Sequence, residues 1–313
     1  MKMKDDFFHE PVMVREVVEM LLTNRQGVYV DGTIGGAGHA GAILENTNAF
    51  LVGIDRDEEA LLFAEKKLSR FGKRKVLVQA NFAELSEVLK KLDIKKVDGV
   101  LFDLGVSSRQ LDNPERGFSF NYDAPLDMRM NRGAKLSAYD VVNGFEQSEL
   151  ERIIRSYGEE KMAARITRAI AKKRQLAPIE KTTQLADIVA GAIPAKFKGR
   201  KTHPATKTFQ AIRIAVNNEL DNIKPGIAGA VEALKSGGRL CVISFHSLED
   251  RIVKNEFKSM AGGCTCPKDI PYCVCQRQAK LKPVTTKAIK SSPEEIKHNP
   301  RARSARLRVA QRC

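Results

Sequence analysis

No stretch of the chain approaches the roughly 20 consecutive apolar residues that a membrane span needs, and no apolar run follows the polar start Met1-Lys2-Met3-Lys4-Asp5-Asp6. Membrane and secreted classes are disfavoured, and a cytoplasmic protein is expected. Cysteine is sparse: six residues in 313, four of them crowded between Cys264 and Cys275. That excludes the dispersed disulfide framework of a small secreted domain. The pairs Cys264-x-Cys266 and Cys273-x-Cys275 hold enough thiolates for one tetrahedral zinc. Their one-residue spacer is shorter than the two to four residues usual between zinc ligands, so no metal is expected, zinc standing as the alternative to reduced thiols. Internal repeats and low-complexity tracts are missing as well. What remains is a chain long enough for two compact units, or one domain with an insertion.

Charge is present and unevenly spread. The net +15 divides into 16 Lys+Arg against 19 Asp+Glu over residues 1–115 and seven of each over 216–276. Residues 116–215 carry 19 against 10, and residues 277–313 carry 11 against 2. All the excess therefore sits in two segments, the electrostatic footprint of a polyanion, with nucleic acid the leading partner and simple solubility the alternative.

Short β-branched runs alternate with helical spacing in the first hundred residues. Strands are expected at 27–31, 50–55, 75–80 and 97–104, with helices at 11–22, 39–44, 58–71 and 82–92. No strand pattern returns until 238–245. Between them lie helical patterns at 137–143, 148–157, 159–173 and 183–192, then a long one over 205–235 broken at Pro225-Gly226. Two tail strands follow, near 282–286 and 307–312. The expected fold is α/β, a Rossmann-like, mostly parallel sheet over 1–115 and 216–313, interrupted by an all-helical basic insert over 116–215.

The strand Val28-Tyr29-Val30-Asp31 runs into the turn Gly32-Thr33-Ile34-Gly35-Gly36-Ala37-Gly38-His39. Missing side chains let such a turn approach a nucleotide-type cofactor closely. Asp55 closes the next strand 20 residues beyond Gly35, where a carboxylate can take both ribose hydroxyls. Three strand ends carry carboxylates: Asp31, Asp55 and Asp103. Those would repel a pyrophosphate but suit S-adenosylmethionine, a cation without phosphate. On this reading Asp31 and Asp103 face the methionyl end and Phe82 packs on the adenine.

The blocks Asp31 to His39, Asp55-Arg56-Asp57, Leu101-Phe102-Asp103-Leu104-Gly105-Val106-Ser107-Ser108-Arg109-Gln110, Arg116-Gly117-Phe118-Ser119-Phe120, Pro125-Leu126-Asp127-Met128-Arg129-Met130, His203-Pro204-Ala205-Thr206-Lys207-Thr208-Phe209, Ser244-Phe245-His246-Ser247-Leu248-Glu249-Asp250 and Asn299-Pro300-Arg301-Ala302-Arg303 match a known family. Over its whole length the chain resembles the bacterial small-subunit ribosomal RNA (cytosine-N4)-methyltransferases. The resemblance implies a class I methyltransferase core with a helical insert. It implies S-adenosyl-L-methionine held by Gly35, Gly36, Ala37, Gly38, His39, Asp55, Phe82, Asp103 and Gln110, and methylation of a decoding-region cytosine. It also suggests Arg129, His203, Arg213 and Asn217 as RNA contacts or pocket walls.

Many amino-methyltransferases carry Asp/Asn-Pro-Pro-Tyr/Phe after the fourth strand, where this chain has Asp103-Leu104-Gly105-Val106. The carboxylate is kept and the aromatic is missing, so Phe118, Phe120, Phe245 or His246 is expected to stack on the flipped base. Asp103 is the first catalytic candidate, and His246 the second, as an acceptor of an N4 proton. Lys198, Arg200, Lys201, Arg301, Arg303, Arg306 and Arg308 read as phosphate contacts. The expected partner is small-subunit ribosomal RNA or the small subunit itself, with no obligate protein partner. A DNA amino-methyltransferase, a non-catalytic ribosome-assembly factor and a nicotinamide oxidoreductase are the rival readings. The missing aromatic, the intact cofactor turn and the acidic strand ends respectively disfavour them.

Overall fold

The computed structural model describes residues 11–194, 203–262 and 278–313. They divide into two compact units, one formed by 1–105 and 220–313 and the other by 106–219. The charge count places the boundaries of the insert at 116 and 215, about ten and four residues inside those of the compact unit, because a change in charge does not mark where packing changes.

The first unit is built on an eight-stranded sheet. Its parallel strands are β1 (Val28–Asp31), β2 (Phe50–Asp55), β3 (Lys75–Gln79), β4 (Val97–Asp103) and β5 (Leu234–Ser244). β6 (Leu281–Pro283), β7 (Ile289–Lys290) and β8 (Arg306–Arg312) close the far edge with antiparallel pairing. The order β3-β2-β1-β4-β5-β8-β6 makes β1 and β4 neighbours. From them the chain winds outward in both directions, and a ligand crevice opens at such a switch point beyond the carboxyl ends.

Both faces of the sheet are covered. Helices α1 (Val14–Leu21), α2 (Gly38–Glu45) and α3 (Glu58–Lys67) bury Val17, Leu21, Ile43, Leu44 and Ala64 against one face. On the other, α4 (Leu85–Lys91), α11 (Glu219–Ala233) and α12 (Ser247–Met260) bring Leu85, Val88, Ile227 and Phe257. Strands buried on both faces explain the nearly unbroken apolar runs at β2 and β4.

The second unit holds α5 (Ser108–Asp112), α6 (Ala138–Gly144), α7 (Gln147–Gly158), α8 (Ala163–Arg174), α9 (Thr182–Ala192) and α10 (Thr206–Asn217). Ile153, Ile166, Leu185 and Phe209 anchor its separate core. Ser107 and Ser137 start α5 and α6 with reciprocal caps, their side chains accepting from Gln110 N and Asp140 N. Among the described residues, no helix is long and apolar enough to cross a membrane.

Several expected elements shift. The long helical pattern breaks at Asn218, not at Pro225: Asn218 adopts a left-handed conformation at φ 50° and caps α10 through its N–H on the Ile214 carbonyl. Pro225 stays inside α11. α3 stops at Lys67 and passes into a 3₁₀ turn at Ser69–Arg74, where Gly72 has φ 57°. β5 begins four residues before the expected Gly238, with a register irregularity against Val97 and Gly99. The tail strand expected over 282–286 is instead two short pieces, β6 and β7. A short helix, α13 (Pro293–His298), lies in the polar stretch between the two expected tail strands, where no element is expected.

Candidate active site

The carboxyl ends of β1, β2 and β4 form an acidic ledge. Asp31 is 1% exposed and accepts from Thr33 N at 3.2 Å. Thr33 Oγ1 in turn accepts from Asp103 N at 2.6 Å, tying the ends of β1 and β4 together. Asp55 uses one carboxylate oxygen for Gly35 N and the other for Asp57 N, both at 2.9 Å. It therefore sets the shape of the glycine turn, while each oxygen keeps a further lone pair for a ligand.

The glycines of that turn have different causes. A Cβ on Gly32 would lie 2.5 Å from Phe102, and one on Gly38 would lie 2.5 Å from Pro11, so these two are demanded by packing. Gly36 has open space above it, and a Cβ there would meet nothing within 4 Å. Gly35 sits at φ 45° and Ala37 at φ 54°, a strained conformation for alanine that starts α2. Close approach to a ligand is the role left for Gly36, whose carbonyl accepts from Lys67 Nζ at 2.9 Å.

Asp103 is the least compensated group on the ledge. Its Oδ1 is sealed from solvent and has no hydrogen-bond partner, while Oδ2 lies 3.7 Å from His39 Nδ1. Burial first, then the nearby Asp31 and Glu249 carboxylates, hold its carboxyl well above the usual range. Asp31 is pushed up to about 7, mainly by burial. His39, 5% exposed, bonds through Nε2 to the Val12 carbonyl at 2.8 Å and is lowered to about 4 by burial. With Nε2–H donating to that carbonyl, the neutral ring presents Nδ1 to Asp103 as an acceptor. Burial also raises Asp55.

Phe82 is 8% exposed, packed against Phe102 at 5.0 Å between ring centroids and against the backbone of Gly226. It is a core residue at the start of the turn after β3. His246 caps α12: its ring accepts from Glu249 N at 3.4 Å, and Nε2 lies 3.2 Å from Glu249 Oε1. Glu249, 1% exposed, holds the turn after β5 by accepting from Phe245 N at 2.8 Å and His246 N at 3.2 Å. Sequence reasoning passed over Glu249, although His246-Ser247-Leu248-Glu249 has the spacing of a capping box.

A family model described as the MraW methylase family matches residues 6–313. The chain belongs to the MraW methylase family. It is 56% identical over 307 residues to a protein of Syntrophus aciditrophicus (strain SB) named Ribosomal RNA small subunit methyltransferase H, covering 97% of this chain and 98% of that one. Proteins of the same name in Geobacter sulfurreducens (strain ATCC 51573 / DSM 12127 / PCA) and Trichlorobacter lovleyi (strain ATCC BAA-1151 / DSM 17278 / SZ) are 53% and 51% identical. Each of those two matches covers 98% of this chain and 99% of the relative. This methylase is an S-adenosylmethionine-dependent methyltransferase. The site suits that cofactor: three carboxylates for a cationic ligand, an orphaned buried oxygen on Asp103, and a glycine turn open above Gly36.

Other expected site residues of the methylase are already engaged within its second unit. Gln110 is 5% exposed and caps α5, its Oε1 accepting from Ser107 N at 3.0 Å. Arg129 grips Asp127 with Nε and Nη2, both at 2.8 Å, and donates to the Ala134 carbonyl. Arg213 pairs with Glu219 at 2.8 Å. Asn217 is 6% exposed, accepts from Met130 N and donates to the Met128 carbonyl. The residues expected at the RNA thus hold loops to helices, a role that sequence blocks could not separate from ligand contact. Phe118 is 6% exposed, packed in the core of the second unit. Phe120 is only half-buried, 4.6 Å from the His203 ring and 5.0 Å from Phe209.

In the tail, Arg306 and Arg308 both bind Asp250, at 3.1 and 2.7 Å. Arg301 and Arg303 are exposed on the 3₁₀ turn Pro300–Ser304. Cys264, Cys266, Cys273, Cys275, Lys198, Arg200 and Lys201 lie outside the described residues.

Proposed function

We propose that this methylase transfers a methyl group to the exocyclic N4 of a cytosine in the decoding region of small-subunit (16S) ribosomal RNA. Bound S-adenosylmethionine supplies the electrophilic methyl. The N4 lone pair is delocalised into the ring, so the protein must favour a tetrahedral nitrogen and remove one of its hydrogens. Asp103 Oδ1, buried and unpartnered at the end of β4, is the acceptor for that hydrogen. This orphan oxygen is the observation that carries the reading. A carboxyl held high in pKa is a better base once ionised. Asp55 orients the ribose and Asp31 balances the cofactor's positive charge. The basic second unit, with Phe120 and His203, provides the surface for RNA, and His246 positions the turn after β5. The relatives' printed name supports the ribosomal substrate and, with it, a cytoplasmic location.

The test is nucleoside mass spectrometry of small subunits from a strain lacking the protein, after incubation with purified enzyme and methyl-labelled cofactor. Label in N4-methylcytidine is the expected result. Label in another nucleoside, or none on subunits and naked RNA despite cofactor binding, would overturn it.

A further inference from the structure

Beyond the ledge, the same edge of the sheet carries a second hollow. It has a volume of about 360 Å³ and lies where β5, β7, β8 and the start of α12 meet; His246, Ser247, Lys290, Arg303, Ser304 and Arg306 line it. That size is within the range of small-ligand pockets. Three of these side chains are cations from separate elements. Arg306 is held by Asp250, but Lys290 and Arg303 are exposed and have no acidic partner among the described residues. Two carboxylates beside the hollow are already engaged: Asp250 is shared between Arg306 and Arg308, and Glu249 accepts from Phe245 N and His246 N. A net positive hollow with hydroxyls of Ser247 and Ser304 on its walls is built for an anion with several acceptor oxygens.

Its place in the fold narrows the ligand. β5 pairs with β4 so that Ile243 stands opposite Asp103, and Phe245 begins the wall of the hollow two residues later. β8 is the next strand over. Two to three strand spacings, about 10–15 Å, therefore separate Asp103 from Arg306 on β8 and Lys290 on β7. That is about the reach from the edge of a base to the phosphates that flank it, which suits a backbone phosphate beside the target base.

We infer that this hollow binds a backbone phosphodiester of the RNA substrate next to the target cytosine, with Lys290 and Arg303 as its ligands. The assignment rests on the RNA reading above. The hollow fixes the register of the strand, and Asp103 reads the base that this register presents.

The experiment uses the full-length protein, a synthetic small-subunit RNA hairpin around the target cytosine, and the variant Lys290→Gln/Arg303→Gln. Methylphosphonate is placed at one linkage at a time. Wild-type protein should lose about tenfold in affinity at one linkage flanking the cytosine. The variant should bind the unmodified hairpin about tenfold more weakly, show no further loss at that linkage, and have a salt slope reduced by about 0.7, one single-strand phosphate contact. Its affinity for S-adenosylmethionine should be unchanged. A control variant, Lys90→Gln/Lys91→Gln on α4, should keep the linkage effect. If the linkage effect survives in Lys290→Gln/Arg303→Gln, or the control loses affinity equally, the hollow is not the phosphate site, even if the wild type still methylates RNA. If the wild type methylates no RNA, the RNA reading itself fails and takes the hollow's ligand with it.

Discussion

One edge of one sheet presents two opposite surfaces. On the β2-β1-β4 side the strand ends carry Asp55, Asp31 and Asp103, recessed and short of compensating positive charge. On the β5-β8 side, β7, β8 and the 3₁₀ turn before β8 carry Lys290, Arg306 and Arg303, all exposed. Recessed carboxylates are costly unless a cation arrives, whereas exposed cations cost little and attract a polyanion from a distance. The acidic half thus suits a small cationic cofactor, and the basic half a phosphate backbone, which on the proposed reading brings the target atom between them, at Asp103.

The sharpest way to break this division is at Asp103 itself. Asp103→Asn removes the proton acceptor and should lower kcat by roughly 10²–10⁴ at saturating cofactor. A loss under about tenfold in single-turnover methyl transfer would show that another group does the work. Next in size is Asp55→Asn, which should weaken S-adenosylmethionine binding by about 10- to 100-fold, the range of charged hydrogen bonds, while leaving RNA affinity unaltered. Calorimetry for the cofactor and filter binding for the RNA read the two separately. A matching fall in RNA affinity would dissolve the separation of the two halves.

The glycines give a smaller, cleaner contrast. Gly32→Ala drives a methyl into Phe102 at 2.5 Å and should cost about 1–3 kcal/mol in denaturant unfolding. Gly36→Ala meets nothing within 4 Å and should leave stability within about 0.5 kcal/mol, yet weaken cofactor binding. Equal destabilisation by both would mean that the open space above Gly36 is not real.

The smallest effect concerns pH in the cofactor-free protein. Asp31 is raised to about 7, so between about pH 4 and 7 its native form holds more protons than the unfolded chain. Its contribution to stability is full below about pH 4 and lost as pH rises through 7. His39, lowered to about 4, works in the opposite direction between about 4 and 6.5 and masks the slope in the wild type. The difference in Tm between Asp31→Asn and wild type cancels His39, and should grow in favour of the variant up to about pH 7. A flat difference across that window would rule out a raised Asp31.

Much of the acidic half was legible in sequence because it follows from local rules: β-branched strands, carboxylates at their ends, and Asp55 placed by strand length after the glycine turn. The basic half was legible only as composition. Lys290 and Arg303 are separated from His246 by more than forty residues, and only the antiparallel return of β8 brings them together. The same limit explains Asn217, whose partners Met128 and Met130 lie nearly ninety residues away and leave no local pattern. It also explains Gly38, which reads as a cofactor glycine until Pro11 is found against it. Asn218 ends a helix through a backbone conformation that Pro225, the stronger breaker on paper, concealed.

The most direct test of the acidic ledge is calorimetric titration of the protein near pH 6.5 in buffers of different ionisation enthalpy, with S-adenosylmethionine and with S-adenosylhomocysteine. If the recessed carboxylates are there to meet a cation, binding of the sulfonium should release protons to the buffer, and more of them than binding of the neutral thioether. Equal release for both ligands, or none for either, would contradict a ledge built around the cofactor's positive charge.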